Sequence, residues 1–304
     1  MKIGVIGLGN IAQKAYLPVY SELRNEGTFI LATRNKQTRE LLQNRYGFKD
    51  VVETVDELIN EGIEACFVHV ATEAHVEIVD KLLKAGIHVC VDKPLSENLA
   101  EVQQLQTYAK ENQLILMIAF NRRFAPFVEE LKAIENKNLI IIQKNRINSP
   151  GNTGFMIYDL FLHVIDTAVY LLDSPIQQVQ TKIIEKNGEL QRAFLHLETE
   201  ETTAICSMDL LSGANTETYQ VTSLQGTYCL ENLTELTIQT AEDTKKESFG
   251  DWVTTLEKRG FDPLIRSFIA GVKAESNEQL KQEKVFLSHE LCQKMLHDHQ
   301  KHIL

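Results

Sequence analysis

The sequence predicts an α/β protein: an N-terminal doubly wound parallel sheet, then an α+β domain with a large, mostly antiparallel open sheet. Three observations predict it. The first 120 residues alternate short apolar runs with amphipathic stretches, the pattern of strands and crossover helices. The turn Gly7-Leu8-Gly9-Asn10-Ile11-Ala12 closes the first apolar run and opens the first amphipathic stretch. Beyond Phe120, strand-like runs follow one another with few helices between them, as an antiparallel sheet requires. The 304 residues suit about two domains, expected at 1–120 and 121–304.

In chain order, Lys2 to Gly7 is a buried strand rich in β-branched residues, and Asn10 to Asn25 a helix interrupted by Pro18. Strands are expected at Thr28 to Thr33, Val51-Val52, Glu64 to Val70, Ile87 to Val91 and Leu114 to Ala119. Helices are expected at Gln37 to Tyr46, Val55 to Asn60, Ala74 to Ala85 (ended by Gly86) and Asn98 to Asn112. In the second half, Leu139 to Ile147 reads as a strand and Tyr158 to Leu172 as a helix. Strand-like runs follow at Gln178 to Glu185, Gln191 to Glu198, Thr202 to Leu210, Thr216 to Leu224 and Thr227 to Glu231. Lys186-Asn187-Gly188, Ser212-Gly213 and Gln225-Gly226 punctuate them. Pro263 to Val272 and Lys284 to His299 are closing helices.

Composition narrows the function. Lys and Arg number 31 against 42 Asp and Glu, a net charge of −11 with no basic block, which argues against nucleic-acid binding. The five cysteines form no CxxC pair and no metal spacing, and read as reduced thiols of a cytoplasmic protein. The opening residues read straight into a strand rather than a signal-peptide core. The longest apolar run, Leu114 to Phe120, falls far short of the ~20 residues that span a bilayer, so no membrane role is expected.

The glycine turn points to a dinucleotide and to a sheet of the Rossmann type. Gly7 permits the tight turn, Gly9 lets backbone approach a pyrophosphate, and Ala12 is small enough for close helix–sheet packing. Asn10 and Ile11 open the helix whose free N–H groups would face the phosphates. The ribose selector belongs at the tip of the second strand, about 20 residues on. Thr33, Arg34 and Asn35 stand there, with no carboxylate for a ribose 2′-hydroxyl. Their donors and positive charge suit a 2′-phosphate, so NADP(H) is expected over NAD(H).

Chemistry is expected at Lys93, in Val91-Asp92-Lys93-Pro94 at the carboxyl end of the fifth strand, where ligands sit in such folds. Asp159 and His163 lie four apart on one helix, among apolar residues, with Asp166 three beyond to orient the ring. Oxidising a carbinol needs a hydride acceptor and a base for the hydroxyl proton. His163 is suited to be that base, and Lys93 would stabilise the reacting oxygen.

These residues resemble the Gfo/Idh/MocA oxidoreductases over essentially the whole chain. The resemblance rests on the GxGxxA turn, Thr72-x-x-His75, Asp92-Lys93-Pro94, Asn121-Arg122-Arg123-Phe124 and Asp159-x-x-x-His163-x-x-Asp166. Val89 to Leu95, Phe120 to Pro126 and Thr255 to Phe261 are similar to the MviM-type branch. The resemblance implies that Lys93 contacts the nicotinamide ribose and the reacting hydroxyl, and that His163 is the acid/base. It implies that Asp159 binds substrate or tunes His163, that Thr72, His75 and Asp92 lie along the dinucleotide, and that the substrate is a sugar, nucleotide sugar or cyclic polyol. The open sheet face would make a homodimer or homotetramer. Two departures stand out. Asp92 replaces the commoner Glu, and only Gly154 remains of a glycine pair before the Asp-x-x-x-His motif.

Arg122 or Arg123 could bind a substrate carboxylate or phosphate, or could pair with acidic residues. Trp252 is expected in core or interface packing rather than over a sugar. His297, His299 and His302 read as a solvated helix end, and no metal site is expected. The alternative to an enzyme is a non-catalytic dinucleotide sensor. A reductase of an unsaturated or imine substrate is a third reading.

Overall fold

The computed structural model describes residues 1–303, with side chains through Lys301. The chain falls into two compact units: Met1–Ala119 with Phe261–Gln282, and Phe120–Gly260 with the chain from Glu283 onward.

The first unit is built on strands β1 (Lys2–Ile6), β2 (Thr28–Ala32), β3 (Val51–Val52), β4 (Ala65–Val68), β5 (His88–Val91) and β6 (Leu116–Ile118). Their order is β3-β2-β1-β4-β5-β6, parallel throughout. The order reverses between β1 and β4, the switch point beside which such sheets bind ligands. Helix starts follow from the residues. Asn35, Thr54 and Asn98 each accept a backbone N–H at the first turn of Lys36–Tyr46, Val55–Asn60 and Leu99–Glu111. The first helix covers residues 10–22 and contains a π-type turn, Ala12–Tyr16. Pro18 has no N–H to return to the carbonyl four residues back, so the ladder is irregular there.

The expected boundary at 120 accounts for only one crossing of the chain. Helix Phe261–Ala274 returns to the first unit. Phe268 packs edge-on to Phe67 at 4.9 Å, and the Gln282 amide bonds both backbone groups of Ile118. Each fully buried aromatic or aliphatic side chain of this kind contributes about 1.5–3 kcal/mol.

The second unit carries β7 (Leu139–Ile147), β8 (Gly151–Asn152), β9 (Gln178–Lys186), β10 (Glu189–Glu198), β11 (Thr203–Ser212), β12 (Thr216–Ser223), β13 (Gly226–Glu231), β14 (Glu235–Gln239) and β15 (Thr244–Ser248). They form one nine-stranded sheet, antiparallel except where β7 meets β11. Ile140, Ile142, Cys206, Met208, Tyr219 and Val221 line its inner face at no more than 2% exposure. Helix Leu162–Leu171 packs on that face, and Val285–Ile303 packs on the helix. The helical run Thr153–Leu171 is long and apolar enough to cross a bilayer, yet 67% of it is buried, as in the core helix of a globular unit. It begins five residues before the expected start at Tyr158, capped by Asn152.

Candidate active site

The glycine turn leaves β1 toward the sheet's carboxyl edge. Gly7 has φ +90°, and a Cβ there would strike the His69–Val70 peptide, so only glycine fits. A Cβ on Gly9 would meet nothing. Gly9, Asn10 and Ile11 are exposed, while Ala12 is fully buried. Exposed backbone with no side chain over it, at the start of a helix, fits a pyrophosphate. At the end of β2, Arg34 is exposed, and the Thr33 hydroxyl accepts from the Asn35 amide. The Asn35 carbonyl oxygen caps the next helix, which leaves its amide NH2 as a donor.

The ends of β4 and β5 are joined by a buried polar chain. Asp92 Oδ1 accepts from the Tyr16 hydroxyl at 2.6 Å, and Oδ2 lies 3.0 Å from His69 Nδ1. His69 Nε2 lies 2.9 Å from the Tyr20 hydroxyl. His69 thus bridges the Asp92 carboxylate and the Tyr20 hydroxyl through its two ring nitrogens. Burial pushes the Asp92 carboxyl up, but His69 and Tyr16 outweigh it and hold it below the usual range. The expected contact of Asp92 with the dinucleotide is therefore corrected. Its carboxylate is tied to Tyr16 and His69, and it anchors the residue before Lys93.

His75 is corrected likewise. It is 1% exposed, with Nδ1 2.8 Å from the Pro94 carbonyl and Nε2 3.1 Å from that of Val70. It ties the end of β4 to the turn after Lys93 and presents no ring edge to a ligand. Burial lowers its pKa. The Lys93–Pro94 peptide is cis, and the Lys93 side chain is half-buried. Thr72 is half-exposed and lines a shallow cleft of about 440 Å3 with Val76 and Ser96.

In the second unit, Asp159 lies in a π-type turn, Ile157–Phe161, and His163 at the start of the helix that follows. Such turns recur at functional sites. Both side chains are half-exposed while Tyr158, Phe161, Leu162 and Val164 are buried. Asp166, expected to orient His163, is held by other groups. It accepts from Arg123 at 2.7 and 2.9 Å and from Ser288 at 2.9 Å.

Neither Arg122 nor Arg123 is available as a substrate ligand. Arg123 is fully buried on Asp166, and Arg122 forks onto Glu217. Glu217 also accepts from Tyr219 and from Lys144 at 2.7 Å. Burial pushes Glu217 up, but Arg122 and Lys144 override it, so it stays ionised. Lys144 is pushed down to about 7 by burial and by Arg122, against the pull of Glu217. The sequence reading missed Lys144, Glu217, Arg146 and Arg259, as well as His69 and Tyr16. The alternation of Lys144 and Arg146 with apolar Ile140 and Ile142 on one strand face was the available signal.

Trp252 is 97% exposed, so of the expected core or interface packing the core is excluded. His299 lies 3.3 Å from Glu185 and is largely buried, not solvated, while the His302 side chain lies outside the described ones. Among the described residues, no group of three or more His, Cys, Asp or Glu is gathered as metal ligands would be.

Residues 1–120 match the family model described as "Oxidoreductase family, NAD-binding Rossmann fold", and residues 126–241 match the YceM-like C-terminal domain. The Salmonella typhimurium protein named as oxidoreductase YceM is 33% identical over 309 residues, with 98% of each chain covered. The crystal structure of a dehydrogenase, MviM, from Clostridium difficile matches with a TM-score of 0.91 at 29% identity, covering 98% of this chain and 99% of that one. The myo-inositol 2-dehydrogenase of Thermotoga maritima is 30% identical over 200 residues, 59% of this chain and 57% of its own. On this sheet order, this glycine turn and these similarities, the chain belongs to the Gfo/Idh/MocA family of oxidoreductases.

Proposed function

We propose that the chain transfers a hydride between NADP(H) and a secondary alcohol or ketone of a sugar, nucleotide sugar or cyclic polyol. The observation that carries this reading is the pair Asp159 and His163, both half-exposed beside the buried Tyr158, Phe161, Leu162 and Val164. A purely structural helix would bury apolar residues there.

The bound dinucleotide supplies the hydride acceptor or donor. Gly7, Gly9, Asn10 and Ile11 hold its pyrophosphate through backbone N–H groups. Lys93 donates a hydrogen bond from its ammonium to the reacting oxygen and stabilises the negative character that develops there. The His163 imidazole takes the hydroxyl proton in oxidation and returns it in reduction. Asp159, one turn earlier, stabilises the imidazolium or binds a neighbouring hydroxyl. Thr72 lies along the dinucleotide. Thr33, Arg34 and Asn35, with no carboxylate beside them, support a 2′-phosphate and hence NADP(H).

Calorimetry and nicotinamide fluorescence test the cofactor, and a polyol panel tests the chemistry. NADP(H) should bind more tightly than NAD(H), and Arg34→Ala should bring it to the NAD(H) level, a loss of about 10- to 100-fold. Lys93→Ala and His163→Ala should each lower kcat by about 10²- to 10⁴-fold with cofactor binding kept. Preferred NAD(H) binding overturns the 2′-phosphate reading. Full turnover in Lys93→Ala overturns the mechanism.

A further inference from the structure

The inner face of the nine-stranded sheet holds more positive charge than its one buried carboxylate can neutralise. Lys144 on β7 and Glu217 on β12 are direct cross-strand neighbours on that face. Arg122 and Lys144 already bond Glu217, and the Tyr219 hydroxyl bonds it as well. A carboxylate so engaged needs no further cation. Two more arginines stand beside it. Arg259 Nη2 lies 3.9 Å from Glu217 Oε2, beyond hydrogen-bond reach, with 36% of its side chain exposed. Arg146, two residues beyond Lys144 on the same strand, is half-buried and donates from Nη1 to the Asn145 carbonyl at 3.1 Å. Glu217, Arg122, Arg259 and Asp159, the last on the helix of the candidate His163, all act on Arg146 electrostatically.

Arg122, Lys144 and Arg259 thus gather on Glu217, with Arg146 two residues beyond Lys144 on the same strand face, in a chain whose net charge is −11. Placing surplus guanidinium groups together, half-desolvated, costs free energy through mutual repulsion. Burial above all, with the neighbouring Arg122 and Arg259, lowers the Arg146 pKa against the opposing pull of Glu217 and Asp159. An anionic ligand on the open N–H forks would relieve that repulsion, and the planar forks match a carboxylate or phosphate.

We propose that Arg146 and Arg259 recognise an anionic group, carboxylate or phosphate, on the polyol, so that the preferred substrate is an acidic sugar or sugar phosphate rather than a neutral polyol. This rests on reading Asp159 and His163 as the substrate end of the second unit. Arg122 and Lys144 have a different task, which is to hold Glu217.

Calorimetry on the full chain with NADP+ present tests the proposal, using gluconate, glucose 6-phosphate, glucose and myo-inositol as probes. At least one anionic probe should bind about tenfold or more tightly than glucose, with the gap narrowing as salt rises. Gluconate against glucose 6-phosphate tells carboxylate from phosphate. Arg146→Gln with Arg259→Gln should abolish the preference without lowering the melting temperature and with NADP(H) affinity unchanged. Arg146→Lys should keep part of it. Equal binding of neutral and anionic probes, binding of none, or a preference that survives the double substitution overturns the proposal. Failure of hydride transfer shows separately, as probes that bind without reducing the cofactor.

Discussion

Gly7 and Gly9 are two residues apart and do different work. Gly7 is fixed by the protein, through its positive φ and the peptide of His69 and Val70 against it. Gly9 is fixed by nothing in the chain, since a Cβ there meets no atom. Gly7→Ala should therefore destabilise the fold by about 2 kcal/mol or more. Gly9→Val should leave stability within about 1 kcal/mol and abolish dinucleotide binding. Denaturant unfolding and an NADP(H) titration on both variants check this. Comparable destabilisation by the two would mean that Gly9 serves the fold and not a ligand. The same distinction separates Lys93 from its neighbour. Asp92 is spent on Tyr16 and His69, and the shorter carboxylate that departs from the commoner Glu is the one that reaches both partners. The motif Asp-Lys-Pro was legible in the sequence, but the division of labour within it was not. That division depends on His69, which is 23 residues away and brought alongside only when β4 and β5 pair.

At the scale of elements, legibility followed the range of the interaction. The strands and helices of the first unit lie close to their expected places because hydrophobic period, asparagine and threonine caps and glycine stops are local signals. β14 and β15 were missed. β15, Thr244–Ser248, has no apolar residue and forms a lysine-bearing edge, which is how a sheet edge is kept from pairing further. The return of Phe261–Gln282 to the first unit was equally hidden, because an amphipathic helix records that it packs but not on what. Arg122 and Arg123 failed as ligands for the same reason: their partners Glu217 and Asp166 stand 95 and 43 residues away. Helix Val285–Ile303 brings in a titratable group of its own. His289 is fully buried against Phe120, with Nδ1 2.9 Å from the Val285 carbonyl. Burial lowers its pKa against the opposing pull of Val285 and Asp166, while Arg123 adds to the lowering. The unfolded chain then binds a proton that the folded chain refuses, so stability is full above about pH 6.5 and falls as the pH drops below it. His289→Gln should flatten that slope by up to about 1.4 kcal/mol per pH unit. Urea unfolding from pH 7 down to pH 5 measures it, and an unchanged slope would assign the acid sensitivity to other groups, with buried His75 the first to examine.

At the scale of the whole molecule, the nine-stranded sheet has one face covered by helices and one uncovered. An antiparallel sheet can leave a face to water, but that face should then be polar. Here it is mixed. Opposite His196 on β10 stands Ile205 of β11, then Ile141 of β7 and Gln220 of β12, in one row across the sheet. Phe194 and Ile205 are each 39% exposed, and Ile147 is 51% exposed. Large apolar side chains grouped on a regular surface mark association sites, and a two-fold axis sets one such face against the same face of a second copy. A homodimer or homotetramer formed through these faces is therefore expected. Charge opposes it, because each copy carries −11. The opposing term is long-range and screened by salt, while the apolar contact is not. Association should accordingly tighten as salt rises, the reverse of the trend expected for anion binding at Arg146 and Arg259. Phe194→Glu with Ile205→Glu places like charges at the centre of the joint, twice over by symmetry, and should give monomers with unaltered circular dichroism. Light scattering across a salt series on the parent and the double variant reads both effects. A parent chain that is monomeric at micromolar concentration in high salt would remove the open face as the joint.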